Sequence, residues 1–170
     1  MPRVVKFYGW TNPNGEFSNF YPKEFTYNGS TFRHAEQFIM YRKAALFKDW
    51  LIADAIMQAT EPAECKRLGR QVCPFNEVTW DRECDELVFP GLLAKFEQNE
   101  YLRDYLLSTG DDILAECSPR DLIWGIGLSA TNPRVDNPNA WRGNNRLGNL
   151  LMQVRAELRK KGYSAEYVAR

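Results

Sequence analysis

Phe25-Thr26-Tyr27-Asn28-Gly29-Ser30-Thr31-Phe32, followed at once by His34-Ala35-Glu36-Gln37-Phe38-Ile39-Met40-Tyr41-Arg42-Lys43-Ala44-Ala45, is the stretch on which the fold reading turns. In its first half aromatic residues alternate around Asn-Gly, the strongest short signal for a two-residue hairpin turn. From His34 the period changes from two to about 3.6, and Phe38, Tyr41 and Ala45 fall on the face of a helix that runs to about Phe47. Upstream, Val4-Val5-Lys6-Phe7-Tyr8 is β-branched and aromatic and reads as a strand, so the expected sheet is small, antiparallel and N-terminal. Downstream, residues 50–57 continue as helix, and Glu61-Pro62 places proline at a first helical position, with Cys65 and Leu68 on the inner face. Helical composition covers 77–88 and 91–107, with a break expected at Phe89-Pro90 and a stop at Gly110. Short extended pieces are expected over 113–117 and 122–126, a polar loop over 129–140, and an amphipathic helix over 147–161. The expected fold class is α+β: a mainly α-helical single domain with a small N-terminal antiparallel sheet.

The composition supports one domain and removes several functions. The chain has 170 residues, 44% apolar and 26% charged, which is enough to bury a core without disulfides or metals. Twenty-two Lys+Arg balance 22 Asp+Glu, so a long basic groove that tracks nucleic acid by phosphate neutralisation is disfavoured, and a local basic pocket stays open. Cys65, Cys73, Cys84 and Cys117 contain no C-x-x-C pair, which excludes a zinc ribbon or thioredoxin motif. Without an apolar leader such thiols read as reduced, and the expected compartment is the cytoplasm, or the nucleus in a eukaryote. No apolar run is long enough to span a membrane. His34 is the sole histidine, so two-histidine metal sites are excluded and no metal or cofactor is expected. Catalysis is left to carboxylates, lysines and the backbone.

Five places carry residues of the right type. Glu36 and Lys43 lie seven positions apart, about 700° of helix, so they point the same way within roughly 20°, with Met40 between them. That spacing fits two unrelated surface charges as well as a carboxylate and an amine facing one cavity. Lys95, in Leu92-Leu93-Ala94-Lys95-Phe96, either extends its head to water or loses solvation and becomes a nucleophile. Trp141-Arg142-Gly143-Asn144-Asn145-Arg146-Leu147-Gly148 opens the last helix, as a plain capped terminus or as an anion cradle of N–H groups with Arg146 added. In Asp121-Leu122-Ile123-Trp124-Gly125-Ile126-Gly127 the glycines permit close approach to an indole, which serves either a planar ligand or a core. Asn19, in Phe17-Ser18-Asn19-Phe20-Tyr21, reads a base edge or holds a turn.

Taken together, five runs resemble one family in order. They are Gly15-Glu16-Phe17-Ser18-Asn19-Phe20, Ala35-Glu36-Gln37-Phe38 through Lys43-Ala44, Leu93-Ala94-Lys95-Phe96-Glu97-Gln98-Asn99, the 121–127 run and Gly143-Asn144-Asn145-Arg146-Leu147-Gly148-Asn149-Leu150-Leu151-Met152. The chain resembles the NADAR (NAD- and ADP-ribose-associated), or YbiA-like, family over about residues 5–160, with 161–170 as a tail to a single domain. The resemblance implies a YbiA-like fold and an N-glycosidase acting on a ribose C1–N bond. The leading substrate is ADP-ribose on guanine, carried by DNA, RNA or a nucleotide. The alternatives are phosphoribosylamino-pyrimidine intermediates of riboflavin synthesis and a non-catalytic ADP-ribose-binding module. It also implies an imine-forming lysine, Lys43 or Lys95, with Glu36 and, more weakly, Asp121 as carboxylates. Asn19, Phe20 and Trp124 are then expected to grip base or ribose, and Gly125, Gly127, Asn144, Asn145, Arg146 and Gly148 the phosphate end.

Overall fold

Asn28 and Gly29 have φ of 49° and 77° in the computed structural model, which describes residues 1–165, and both lie where a type I′ hairpin turn requires them. In chain order the elements are β1 Val4–Phe7, β2 Phe25–Tyr27, β3 Ser30–Phe32, α1 Ala35–Leu46, α2 Trp50–Gln58, α3 Pro62–Gly69, α4 Glu77–Gln98, α5 Glu100–Leu107, β4 Ile113–Glu116 and α6 Arg146–Lys160. Single 3-10 turns at Gly15–Phe17 and Pro138–Ala140 complete the described residues. The expected α+β, mainly helical architecture is present. The chain divides into two compact units, Asn19–Gln98 and the flanking segments Met1–Ser18 and Asn99 onward. The expected tail is described only as far as residue 165; the rest of it lies outside the described residues.

In the unit Asn19–Gln98, α1 is the central rod. Its residues Ala35 to Ile39 and Ala44 are buried on more than one face, because the hairpin, α2, α3 and α4 all pack on it. One face meets the hairpin: Phe38 lies 5.8 Å from Phe25, 5.0 Å from Phe32 and 5.4 Å from Tyr27, ring to ring. Edge-to-face contacts of this kind add about 1 kcal/mol each to the burial of the rings. A second face, with Met40, Ala44 and Phe47, packs on Ala53, Ile56, Cys65, Leu68 and Val72 from α2, α3 and the turn that follows. The start of α1 is tied to the end of α2 by polar groups. Gln37 donates to the carbonyls of Ile56 and Ala59 at 3.0 and 3.2 Å, and Arg33 donates to Met57 and Ala59 at 3.1 and 2.8 Å. These bonds add partners to carbonyls at the end of a helix, where intrahelical donors run out.

In the other unit, β1 pairs in parallel with β4, Val4 opposite Ile113 and Phe7 opposite Glu116. Asn145, at the start of α6, completes β4 with its side chain. Its Oδ1 accepts from Glu116 N–H at 3.1 Å and its Nδ2 donates to Leu114 O at 2.8 Å, so the amide acts as a short piece of strand. That placement needs the left-handed backbone of Asn145, φ 53°, which asparagine tolerates. Gly148 follows for a packing reason: a Cβ there would lie 2.5 Å from Asn145 Oδ1 and closer still to Leu114 O.

Three expectations are corrected. The hairpin is the antiparallel N-terminal sheet, but β1 is not part of it, because its hydrogen-bonding partner is a strand more than a hundred residues away that local pattern does not reveal. Helix α4 runs unbroken through Pro90, and the break falls at Asn99. Val88, Gly91, Leu92, Lys95 and Phe96 are buried along α4, and that burial outweighs the roughly 3 kcal/mol that an interior proline costs. Residues 122–126 form a loop, since Asp121 Oδ1 accepts the N–H groups of Ile123 and Trp124 at 2.9 and 2.8 Å and closes a turn.

Candidate functional site

In the unit Asn19–Gln98, the first turn of α1 carries Glu36. His34 caps this helix: its Nδ1 accepts from Gln37 N–H at 3.1 Å while Nε2 lies 3.1 Å from Thr60 O. A carbonyl only accepts, so Nε2 holds the proton and the ring is neutral. Burial pushes the His34 pKa down, against the Thr60 hydrogen bond and Glu61, with Arg33 and Lys95 also pushing down. Glu36 itself is 7% exposed, and its N–H donates to Asn19 O at 2.9 Å. The cap and that bond fix the helix start, and with it the carboxylate.

Asn19 is the second feature of this corner. Its side chain is 8% exposed and its Oδ1 is buried with no hydrogen-bond partner. An unfilled buried acceptor costs about 1–3 kcal/mol, which is the sort of local sacrifice a ligand-binding group makes. Phe20, next in the chain, is partly buried, with the Lys66 ammonium 6.0 Å from its ring centre.

Lys43 lies two turns beyond Glu36. Its ammonium donates to Gly69 O at 2.8 Å and sits 4.5 Å from the centre of the Phe75 ring. Burial pushes its pKa below the ordinary lysine range; Glu36 pulls it back, Arg70 pushes down and Cys84 pulls up. The field of Glu36 therefore reaches Lys43, as the seven-residue spacing implies. Lys95 is wholly buried, its ammonium 4.9 Å from the Phe96 ring centre and 5.7 Å from that of Tyr21. It does not extend to water. Cys65, close enough to feel Glu36, has its thiol pushed up to about 11 by burial first and by that carboxylate second, so it is no thiolate nucleophile.

The other unit holds the remaining candidates in one junction. The N–H groups of Asn144, Asn145, Arg146 and Leu147 donate to the carbonyls of Leu122, Gly125, Ile123 and Trp124 at 2.8, 3.0, 3.0 and 3.2 Å. Gly143 is pressed on the same loop, where a Cβ would lie 2.9 Å from Ile126 C and closer still to Gly125 O. The anion cradle expected from these N–H groups is thus filled by the chain's own carbonyls, and the glycines serve backbone packing. Gly125 has Ser118 Cβ 2.9 Å from where its Cβ would be, and Gly127, at φ 71°, has Leu122 Cδ2 at 2.7 Å. Asp121 holds the turn. Beside this junction the Arg146 guanidinium lies 5.7 Å from the centre of the Trp124 ring.

Sequence reading missed His34 as the positioning cap, Gly69 as the Lys43 acceptor, and Phe75. The first was legible, since His34 stands three residues before Gln37 at a change of period. The other two come from α3 and the turn after it, and no local signal joins them to Lys43. Among the described residues no group of three His, Cys, Asp or Glu is placed to hold a metal ion. No helix among them is long and apolar enough to cross a membrane.

Comparison with known proteins identifies the family. An N-glycosidase of Acanthamoeba polyphaga mimivirus is 40% identical over 146 residues, covering 83% of this chain and 86% of the relative. An N-glycosidase of Nostoc punctiforme is 32% identical over 158 residues, covering 92% and 93%. The solution structure of Escherichia coli YbiA matches with a TM-score of 0.79 and 27% identity, over 100% of this chain and 94% of that one. The NADAR domain model matches residues 6–159, and with the motifs, the fold and the relatives in agreement, the chain belongs to the NADAR family.

Proposed function

We propose that this chain is an N-glycosidase that hydrolyses a ribose C1–N bond, and that its substrate is ADP-ribose attached to guanine in DNA, RNA or a nucleotide. The N-glycosidase class rests on the family and on relatives that carry that name. The observation that carries the chemistry is a buried carboxylate, Glu36, acting on an amine, Lys43, whose proton affinity burial has reduced.

Cleavage leaves positive charge at C1 and a nitrogen that needs a proton. Glu36 supplies the proton to the leaving nitrogen, or as carboxylate stabilises the charge at C1. In the covalent version the sugar ring opens, the neutral lysine adds to C1, and the base nitrogen leaves with its electron pair and a proton. The resulting lysine–C1 iminium is hydrolysed by water, which returns the free amine and the sugar. The reduced proton affinity of Lys43 supports it as the amine, with Lys95 the competing choice. Asn19 Oδ1 accepts an N–H or O–H of the substrate. In the other unit a ligand role is kept for Trp124 and Arg146, whose ring centre and guanidinium lie 5.7 Å apart.

Mass spectrometry of products from guanine-ADP-ribosylated oligonucleotide, with a phosphoribosylamino-pyrimidine run in parallel, tests this. Free ADP-ribose with restored guanine is expected, lost in Glu36→Gln while ADP-ribose binding is kept. Turnover of the pyrimidine alone would move the protein to metabolism. Binding with no turnover in either reaction would make it an ADP-ribose-binding module. Borohydride trapping during turnover, followed by peptide mapping, then decides between Lys43 and Lys95.

A further inference from the structure

The Lys43 ammonium is held between two groups that no motif of the chain announces. Gly69 O, at the end of α3, accepts its hydrogen bond at 2.8 Å, where the helix terminus carries partial negative charge. The Phe75 ring covers it at 4.5 Å, well inside the distance at which an aromatic face attracts a cation. Phe75 is 45% exposed, so one side of the ring meets solvent while it covers the amine. It is also firmly placed. Asp49 accepts Cys73 N–H at 2.9 Å on one side, Asn76 Oδ1 accepts Thr79 N–H at 2.9 Å on the other, and Phe47 meets the ring itself at 5.2 Å. The chain on either side of the ring is thus tied down, and Phe47 braces the ring itself against the amine.

We propose that Phe75 is a positioning residue that holds the Lys43 amine in its charged form through the face of its ring, and so sets the pH at which that amine becomes a nucleophile. The charged and titratable groups facing Lys43 are Glu36 from its own helix, Arg70 just beyond α3, and Cys84 from α4. The Phe75 ring joins Glu36 in opposing burial. A ring acts in two separable ways, by its electrons and by its bulk. Leucine keeps most of the cover and removes the electron-rich face, so Phe75→Leu lowers the Lys43 pKa. Alanine admits water and raises it. Tryptophan, the stronger cation binder, restores or exceeds the wild-type value.

The proposal deepens the reading of Lys43 as the reacting amine, and its first test does not depend on that reading. Labelling of Lys43 by an amine-specific reagent is followed across pH by peptide mass spectrometry in the wild type and in Phe75→Leu, Phe75→Ala and Phe75→Trp, each checked by circular dichroism. The expected result is an acid shift of about half a pH unit for Phe75→Leu, a basic shift for Phe75→Ala and no acid shift for Phe75→Trp, with about threefold more labelling of Phe75→Leu below the midpoint. A Phe75→Leu profile that superimposes on the wild type, or an acid shift in Phe75→Trp, overturns the proposal. The pH profile of kcat/KM is then measured for the same proteins. If it moves with the labelling, the amine that Phe75 governs is the one that reacts. If labelling moves and the rate profile does not, Phe75 keeps its role and Lys43 loses the catalytic one.

Discussion

Gly91 is the position at which local propensity and tertiary packing make opposite demands, and replacing it by alanine separates them. Within α4, alanine is favoured over glycine by about 1 kcal/mol, so helix propensity alone predicts that Gly91→Ala stabilises. The surroundings say otherwise. A Cβ on Gly91 would lie 2.6 Å from Phe38 Cζ and closer still to Cε1 and Cδ1. Carbon atoms settle at about 3.5–4.0 Å, so ring or helix has to move by about 1 Å. Phe38 has nowhere to go, with Phe25, Phe32 and Tyr27 all within 5.8 Å, ring centre to ring centre. Overpacking of this kind costs about 1–3 kcal/mol, and the crowding argues for the upper end. After the helix gain, a net loss of about 2 kcal/mol remains, which lowers Tm by about 4–8 °C in a chain of this size. Because Lys95 lies one turn along the same face of α4, the same shift displaces it relative to α1, and kcat/KM falls at least tenfold at temperatures where the variant is folded. Thermal unfolding followed by circular dichroism reads the first effect and product analysis the second. Adding Phe38→Leu to Gly91→Ala recovers part of the Tm. A Tm equal to or above the wild type, or losses that simply add in the double variant, would refute the reasoning.

Three further substitutions probe single groups of the fold and the candidate site. Asn19→Ala removes a buried acceptor that has no partner, so Tm holds or rises by a few degrees while binding of ADP-ribose weakens roughly tenfold by calorimetry; a large fall in Tm with unchanged binding would show a structural role. His34 has its folded pKa below the unfolded value of 6.5, so the unfolded chain takes up the proton first as pH falls. Its contribution is complete above pH 6.5 and is lost as pH drops below that towards the folded value, a slope that His34→Asn, which keeps a capping acceptor, flattens in urea titrations across pH. Asn145→Ala leaves Glu116 N–H and Leu114 O without their partner and places alanine at a positive φ, so stability falls by about 2–4 kcal/mol in urea unfolding; a loss under 1 kcal/mol would mean that water replaces the amide.

Much of the candidate site was legible because a helix converts spacing into direction. Glu36 and Lys43 share a face by arithmetic alone, and Lys95 announces itself as a cation in an apolar run. What the spacing left open was the state of each group. Whether Lys95 reaches water depends on Tyr21 and Phe96 covering it, and whether Lys43 is an ordinary surface lysine depends on Gly69 and Phe75. The glycines and asparagines of 121–127 and 143–148 were the least legible. An N–H group at a helix start looks available in sequence, and only the packed loop shows that a carbonyl already occupies it.

Elements formed by short-range forces were determined by sequence alone: the Asn28-Gly29 turn, the hairpin, α1 from its period, and α3 from Pro62 at its first position. The turn dihedrals and the 3.6-residue period are properties of a few neighbouring residues, so no distant contact is needed to choose them. Tertiary structure decided the partner of β1, the continuity of α4 through Pro90 and the charge environment of the two lysines. Each of these depends on what lies opposite in space, and burial energies of several kcal/mol there exceed the local preferences that the sequence pattern records.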